Sequence, residues 1–363
     1  AGAVSYRGFS GGQSPAAIAA AWRALGLEVA DVEKLPPETL AGLTKTPGLP
    51  ARAQDAACRA LLKLALKSPE RVHRLMGFRP GELSLADFTT EVSRLRDAWE
   101  DAKLASADIP GKPTVHLTGF GRHDGAVTAA ISLGDPDTAE RVAVNVSGMN
   151  SDMTSIGNGV HAAESLLRAA LQENGEQSYA IVTWIGYRSP SATEVRFQDR
   201  ADSGARELSR YIDGTFAARA ASGNPMKGLA VYAHSYGSTT ASLALMQIQH
   251  KIDTFVAYGS ACSPKEVTVA KMNGASVFST AARGDNVAWA GFTGTDRQQP
   301  QHMRGVTEFS SEVHGDSKAT TAHDMFTDGY SGSFWNWGGK VGYLTTGTRS
   351  VTTMGKLFAT GAL

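Results

Sequence analysis

The sequence predicts an α/β chain: a mostly parallel sheet that starts with an antiparallel hairpin and is preceded by a helical N-terminal region. Three observations carry this. After residue 112, short β-branched runs alternate with longer helical stretches. The first two runs are separated only by a short turn at Asp135-Pro136-Asp137. Before residue 112, helical spacing dominates. Alternating strand and helix implies parallel strands, because a parallel pair needs a long crossover, and the crossover helices then cover both faces.

The N-terminal elements come first. Residues 54–67 read as a helix ended by Ser68-Pro69. Ser84 followed by Asp87 makes a capping-box-like start, after which Leu85, Phe88, Val92, Leu95 and Trp99 recur at helical spacing. These residues share one face, which needs a partner surface. Residues 106–113, with two prolines and a glycine, read as a linker. The expected division is therefore a helical cap or cover over 1–112 and a catalytic α/β domain over 113–363.

Beyond the linker, strands are predicted at 126–133, 141–147, 179–184, 229–233, 254–258 and 276–281. Helices are predicted at 156–172, 201–221 and 238–249. The first two strands are expected to pair as the antiparallel hairpin. A hairpin leading into a parallel βαβ sheet is the α/β-hydrolase pattern. No internal repeat and no low-complexity tract interrupts it.

Composition narrows the function classes. Lys+Arg and Asp+Glu are both 35, so no basic surplus exists to neutralise a phosphate backbone, and no nucleic-acid partner is expected. No stretch approaches the roughly 18 consecutive apolar residues of a membrane span; residues 57–66 are interrupted by Arg59 and Lys63. The chain is expected to be soluble. It begins Ala1-Gly2-Ala3, as a processed mature chain or a trimmed one would, so the compartment stays open, with secretion favoured over cytoplasm. Cys58 and Cys262 permit one disulfide and specify none. The oligomeric state is not specified either.

One segment carries the chemistry. The buried run GLAVYA (228–233) is followed by His234, Ser235, Tyr236 and Gly237, and then by the helical STTASLALMQIQ. This is the strand, tight turn and helix of a nucleophile elbow. Small residues must flank the turn so that strand and helix can approach; Gly237 supplies one, and Ala233 stands where glycine is usual. A serine there lies at a helix N-terminus, whose free N–H groups favour a developing oxyanion. The alternative is a serine that merely caps the helix. Ser235 is read as the nucleophile, and His234 as a packed histidine pointing away from it.

On this fold the acid and the base follow the serine in chain order. Asp285 lies just past the strand at 276–281, on the rim where the elbow opens, and is read as the acid; Asp296 is its rival. The base is sought downstream among His302, His314 and His323. His323, in Thr321-Ala322-His323-Asp324, shortly before a Gly/aromatic stretch running through Trp337, leads, and His314 follows. The oxyanion donors are expected to be the amides of Tyr236 and of Met149, in the loop after 141–147, with Asn150 as the alternative to Met149. Trp289, Phe292, Met303 and Phe309 lie between acid and base, as a lid over an acyl pocket or as an ordinary satellite core. No phosphate-binding glycine loop and no metal-ligand spacing occurs, so neither cofactor nor metal is expected.

These pieces together resemble an actinobacterial α/β-hydrolase family catalogued as a domain of unknown function (DUF1023). LTGFGRHDGAVTAAISLGDPDTAERVAVNVSGMNS (117–151) resembles its opening hairpin, its Gly-Asp-Pro-Asp-Thr-Ala turn and its oxyanion loop. TWIGY (183–187) resembles its next strand end, AHSYGSTT (233–240) its elbow, and AYGSACSP (257–264) a further strand end. STAARGDNVA (279–288) carries Asp285 at the family's acid position, and AHDMF (322–326) carries His323 in its base segment. The resemblance covers roughly 115–345, with a weaker match over 35–62. It implies hydrolysis of ester-like small molecules. Three functions are carried forward: an esterase or lipase-like hydrolase, an acyltransferase or thioesterase with the same triad, and a binding module on a hydrolase scaffold.

Overall fold

Eight strands line up in one sheet: β1 (Val115–His123), β2 (Ala126–Leu133), β3 (Arg141–Val146), β4 (Tyr179–Ile185), β5 (Gly228–His234), β6 (Thr254–Tyr258), β7 (Ser276–Thr280) and β8 (Val306–Glu308). Their order is β1-β2-β4-β3-β5-β6-β7-β8. The structure is a computed structural model and describes residues 9, 13–290, 295–327 and 339–363. β1 and β2 are antiparallel, as are β2 and β4; all later neighbours are parallel. This is the α/β-hydrolase fold expected from the sequence.

The opening hairpin is made by different strands from those expected. Residues 126–133 pair with β1 and β4, and 141–146 run parallel between β4 and β5, so the two never pair with each other. The turn is Asp124-Gly125, with φ of 48° and 77°, the positive-φ pair that a two-residue hairpin loop requires. The Asp135-Pro136-Asp137 segment serves another purpose. The Asp137 carboxylate accepts the Ala51 and Arg52 amides at 2.7 and 3.0 Å, capping a helix from the N-terminal region.

That region contributes α1 (Pro15–Leu25), α2 (Val29–Val32), α3 (Pro37–Leu43), α4 (Ala51–Lys67), α5 (Pro69–Leu75) and α6 (Leu85–Asp108). Ser84 caps α6, its Oγ accepting the Asp87 amide at 3.1 Å. Of the face noted in the sequence, Phe88, Val92 and Leu95 are buried against the sheet, whereas Leu85 is exposed. Because α6 continues through Asp108, the expected linker is shortened to its proline end. α4 runs beside the edge strand β1, and Asp55 Oδ1 accepts the Leu117 amide at 2.8 Å. A helix thus covers an edge that would otherwise offer unpaired backbone groups.

The remaining helices are α7 (Ile156–Glu173), α8 (Asp199–Ala221), α9 (Tyr236–Leu245), α10 (Asn286–Ala290) and α11 (Arg349–Thr360). Alternate residues of each strand feed opposite cores. Ala230, Tyr232, Val256 and Tyr258 join α4, α6, α7 and α11 on one face; Leu229, Val231, Ala233, Phe255 and Ala257 join α8 and α9 on the other. α9 is shorter than the predicted 238–249. The Asp213 carboxylate takes the Gln249 amide at 3.1 Å and the His250 amide at 3.3 Å, pulling that segment out of helical register. Cys58 and Cys262 are both buried and are not bridged. No helix among the described residues is long and apolar enough to cross a membrane.

This topology fixes where a site can form. From β3 the chain crosses to β4 on one side, and from β4 it returns past β3 to β5. Adjacent strands whose connections diverge leave a crevice beyond their carboxyl ends. The segment carrying Ser235 leaves β5 there, and the 147–155 loop leaves β3.

Candidate active site

The turn at the end of β5 holds Ser235 at φ 52° and ψ −129°, a left-handed conformation that a non-glycine residue adopts only when its surroundings enforce it. The enforcement is visible. Ser235 N–H donates to the Tyr258 carbonyl at 3.2 Å, and its carbonyl accepts from Ala261 N–H at 3.2 Å and Ser238 Oγ at 2.7 Å. At Gly237 a β-carbon would stand 2.6 Å from the carbonyl oxygens of both Val146 and Ser147, so only glycine lets α9 approach β3. The turn thus presents the serine side chain while the backbone is tied down on three sides.

The structure brings three of the sequence-predicted residues together. His323 Nε2 lies 2.8 Å from Ser235 Oγ, and His323 Nδ1 lies 2.9 Å from each oxygen of Asp285. Ser235 is nearly buried and Asp285 wholly so. A carboxylate facing Nδ1 fixes the ring with its proton on that nitrogen, leaving Nε2 as acceptor for the hydroxyl proton. The rivals lie elsewhere. His314 forms a bridge with Ser317, His302 ends a short 3₁₀ turn, and Asp296 is an exposed partner of Lys265.

Asp285 is held by more than the histidine. Tyr343 Oη donates to Oδ2 at 2.6 Å and itself accepts the Ala282 amide at 2.9 Å; the Ala288 amide donates to Oδ1 at 2.9 Å. Burial alone would raise this carboxyl, but the bonds from His323, Tyr343 and Ala288 outweigh it and hold it below its ordinary value. The Tyr343 hydroxyl, buried and facing a carboxylate, is pushed far above its ordinary value and stays a donor.

The adjacent His234 bonds a partner other than Ser235. Its Nε2 lies 2.6 Å from the His323 backbone carbonyl, so it donates there. Burial and the neighbouring His323 ring push its pKa down to about 3, which keeps it neutral. Below the site, Tyr258 Oη donates to Asn145 Oδ1 at 2.7 Å, and Asn145 Nδ2 reaches Met325 Sδ at 3.4 Å. Tyr343, Asn145 and the second role of His234 were missed by sequence reasoning. Only the His-Ser dipeptide gave any signal of them.

The loop leaving β3 passes directly over the serine: a β-carbon at Gly148 would stand 2.7 Å from Ser235 Cβ. The next residue, Met149, lines the cleft beside Ser235 together with Asn158, Asp324 and Met325. Among the described residues, the amides of Met149 and Tyr236 have no hydrogen-bond partner. The alternative, Asn150, has its amide committed to the Pro190 carbonyl at 3.0 Å. Of the four residues considered for a lid, three lie within the described residues. Met303 and Phe309 are buried in cores on opposite faces of the sheet, and Trp289 is half exposed with its Nε1 on the Ala282 carbonyl. Phe292 and Trp337 lie outside the described residues.

A second Ser, His and Asp group sharpens the contrast. Ser203 Oγ lies 3.0 Å from His123 Nε2 but donates to Asp124 Oδ2 at 2.8 Å. His123 Nδ1 has no hydrogen-bond partner among the described residues. Here Asp124 Oδ2 bonds the serine and lies 3.7 Å from His123 Nδ1, beyond hydrogen-bond reach, whereas at Ser235 the carboxylate bonds the ring directly.

With this geometry in hand, comparison with known proteins adds the following. Residues 123–293 match the family described as alpha/beta hydrolase. An uncharacterized protein of Mycobacterium tuberculosis is 34% identical over 143 residues, 37% of this chain and 52% of that protein. A second uncharacterized protein of the same species is 29% identical over 163 residues, 41% of this chain and 24% of that protein. The chain therefore spans about half the length of the first relative and less of the second. Among solved structures, a dienelactone hydrolase from Anabaena variabilis aligns at TM-score 0.36 and 12% identity, over 54% of this chain and 83% of that one. A carboxylesterase from Mesorhizobium loti aligns at 0.36 and 14%, over 55% and 89%.

Proposed function

We propose that this chain, whose residues 123–293 match the alpha/beta hydrolase family, is a serine hydrolase that cleaves carboxylic esters of small molecules through an acyl-enzyme. The observation that carries this is the 2.8 Å contact of Ser235 Oγ with His323 Nε2, backed by Asp285 on the opposite ring nitrogen. In the proposed cycle, Ser235 Oγ attacks the ester carbonyl carbon while His323 Nε2 takes its proton. Asp285 stabilises the resulting imidazolium without itself being protonated. The oxyanion is received by the Met149 and Tyr236 amides, the second at the first position of α9, where the helix dipole adds to it.

Collapse of the tetrahedral intermediate expels the alcohol, which takes its proton from His323. Water then gives its proton to the same nitrogen and attacks the acyl-enzyme carbonyl; as that second intermediate collapses, Ser235 Oγ leaves, takes the proton back from His323 and the acid is released. His234 keeps the His323 backbone in place and, being neutral, adds no competing charge. All of these steps use the chain's own groups and water.

The test is turnover of a p-nitrophenyl ester series from acetyl to decanoyl by the wild type and Ser235→Ala. The wild type should release nitrophenol on at least one member, with Ser235→Ala at background. Equal release by both proteins would refute the assignment.

A further inference from the structure

The loop 147–155 that carries Met149 bonds within itself around Asp152 and Ser155, but its backbone amides at Asn150, Ser151 and Met153 are tied to other segments. On one side, the Asn150 amide donates to the Pro190 carbonyl at 3.0 Å, and the Ser151 amide donates to Ser189 Oγ at 2.8 Å. On the other side stands one carboxylate. Glu91, on α6, accepts the Met153 amide on Oε2 at 2.8 Å. Met153 is itself fully buried. Thus α6, which precedes the family-matched stretch 123–293, reaches across to the segment that passes over Ser235.

The placement is electrostatically unfavourable. Asp87 and Arg94 approach Glu91 from its own helix and Asp152 from the loop; burial, with the two acidic neighbours, raises the Glu91 carboxyl to about 7. Against this, the bond from the Met153 amide to Oε2 favours the ionised carboxylate, so the largest interaction that offsets its burial is the one that ties it to the loop.

We infer that Glu91 is a positioning residue for the Ser235 site, acting from α6 to hold the loop 147–155, and with it the Met149 amide, against Ser235. Its catalytic consequence rests on the serine hydrolase reading, and its structural consequence does not. The N-terminal helices then do more than cover the sheet: one of them completes the oxyanion side of the site.

Glu91→Ala and Glu91→Gln test this by two readouts. The first is steady-state kinetics on the best p-nitrophenyl ester. Glu91→Ala should lower kcat about tenfold or more with KM within about twofold, short of the about 100-fold loss expected when an oxyanion donor itself is removed. Glu91→Gln, whose amide oxygen can still accept from Met153, should recover to within about threefold of wild type. The second readout is amide hydrogen exchange, with faster exchange expected at Met153, Asn150 and Ser151 in Glu91→Ala but not in Glu91→Gln.

Unchanged kcat in Glu91→Ala, or equal losses in both variants, would overturn the inference. If the wild type neither turns over esters nor reacts with a fluorophosphonate, the hydrolase reading fails, and exchange alone decides. Faster exchange in Glu91→Ala then upholds the tether, and unchanged exchange removes it. Should Glu91→Ala fail to fold, Glu91→Met, of similar length and unable to accept the bond strongly, takes its place in both measurements.

Discussion

The two walls of the site differ in how far their shape is local. The serine wall, β5 through α9, follows from contiguous residues, a buried strand, a strained turn and Gly237, where no side chain fits, and is then pinned by Tyr258 and Ala261. The proposed oxyanion wall, 147–155, bonds partly within itself, and its backbone amides are tied to borrowed partners from α6 and from the segment after β4. A locally determined wall can be read from adjacent residues. A borrowed one can be read only once distant residues have met.

Substitutions should expose this difference. The largest effect belongs to the serine wall and its base. Ser235→Ala and His323→Ala should each cost about 10⁵-fold or more in kcat, whereas His314→Ala should stay near wild type. Ester hydrolysis by the three purified variants checks this. Next comes the point where the walls touch. Gly148→Ala would set a β-carbon 2.7 Å from Ser235 Cβ; the loop must then retreat, and kcat should fall about 100-fold, as it does when an oxyanion donor is lost. Because the loop can yield, the melting temperature should move little, which thermal unfolding can verify.

A smaller effect is expected behind the acid. Tyr343→Phe removes the 2.6 Å donor to Asp285 and leaves the Ala282 amide unpaired. The variant should lose about 1–2 kcal/mol in stability, measured by denaturant unfolding, with a smaller fall in kcat/KM than in the variants above. Unchanged stability would show that neither bond contributes.

The smallest effect separates stability from function at Glu91. Its folded pKa, about 7, is raised above its ordinary value of 4.5. The folded state therefore binds the extra proton, and stability is lost as pH rises through 7. Glu91→Gln escapes that loss. Its melting temperature relative to wild type should be higher at pH 8.5 than at pH 5.5, by about 1–2 degrees, on the order of what 1 kcal/mol produces in a chain of this size.

What could be read in the sequence follows the same division. Ser235 was legible because strand, turn and helix are contiguous. Asp285 and His323 were legible through their order and their rim positions, although spacing alone left His314 and Asp296 in contention. The opening hairpin pairs β1 with 126–133 through the Asp124-Gly125 turn, whereas the run at 141–147, more apolar than β1, belongs to the parallel part of the sheet, so apolar character alone selects the wrong partner. Asp135-Pro136-Asp137 looked like a hairpin turn, yet its last carboxylate caps α4, a contact 86 residues away in the chain. Tyr343, Asn145 and Glu91 carry no local signature. A tyrosine reaching an aspartate 58 residues earlier is a product of the sheet, not of the segment.

The most direct test is the reaction of the folded protein with a fluorophosphonate, followed by peptide mapping of the adduct. A single adduct on Ser235, absent from Ser235→Ala and strongly slowed in His323→Ala, is the expected result. No adduct, or an adduct on Ser203 beside His123, would contradict the account.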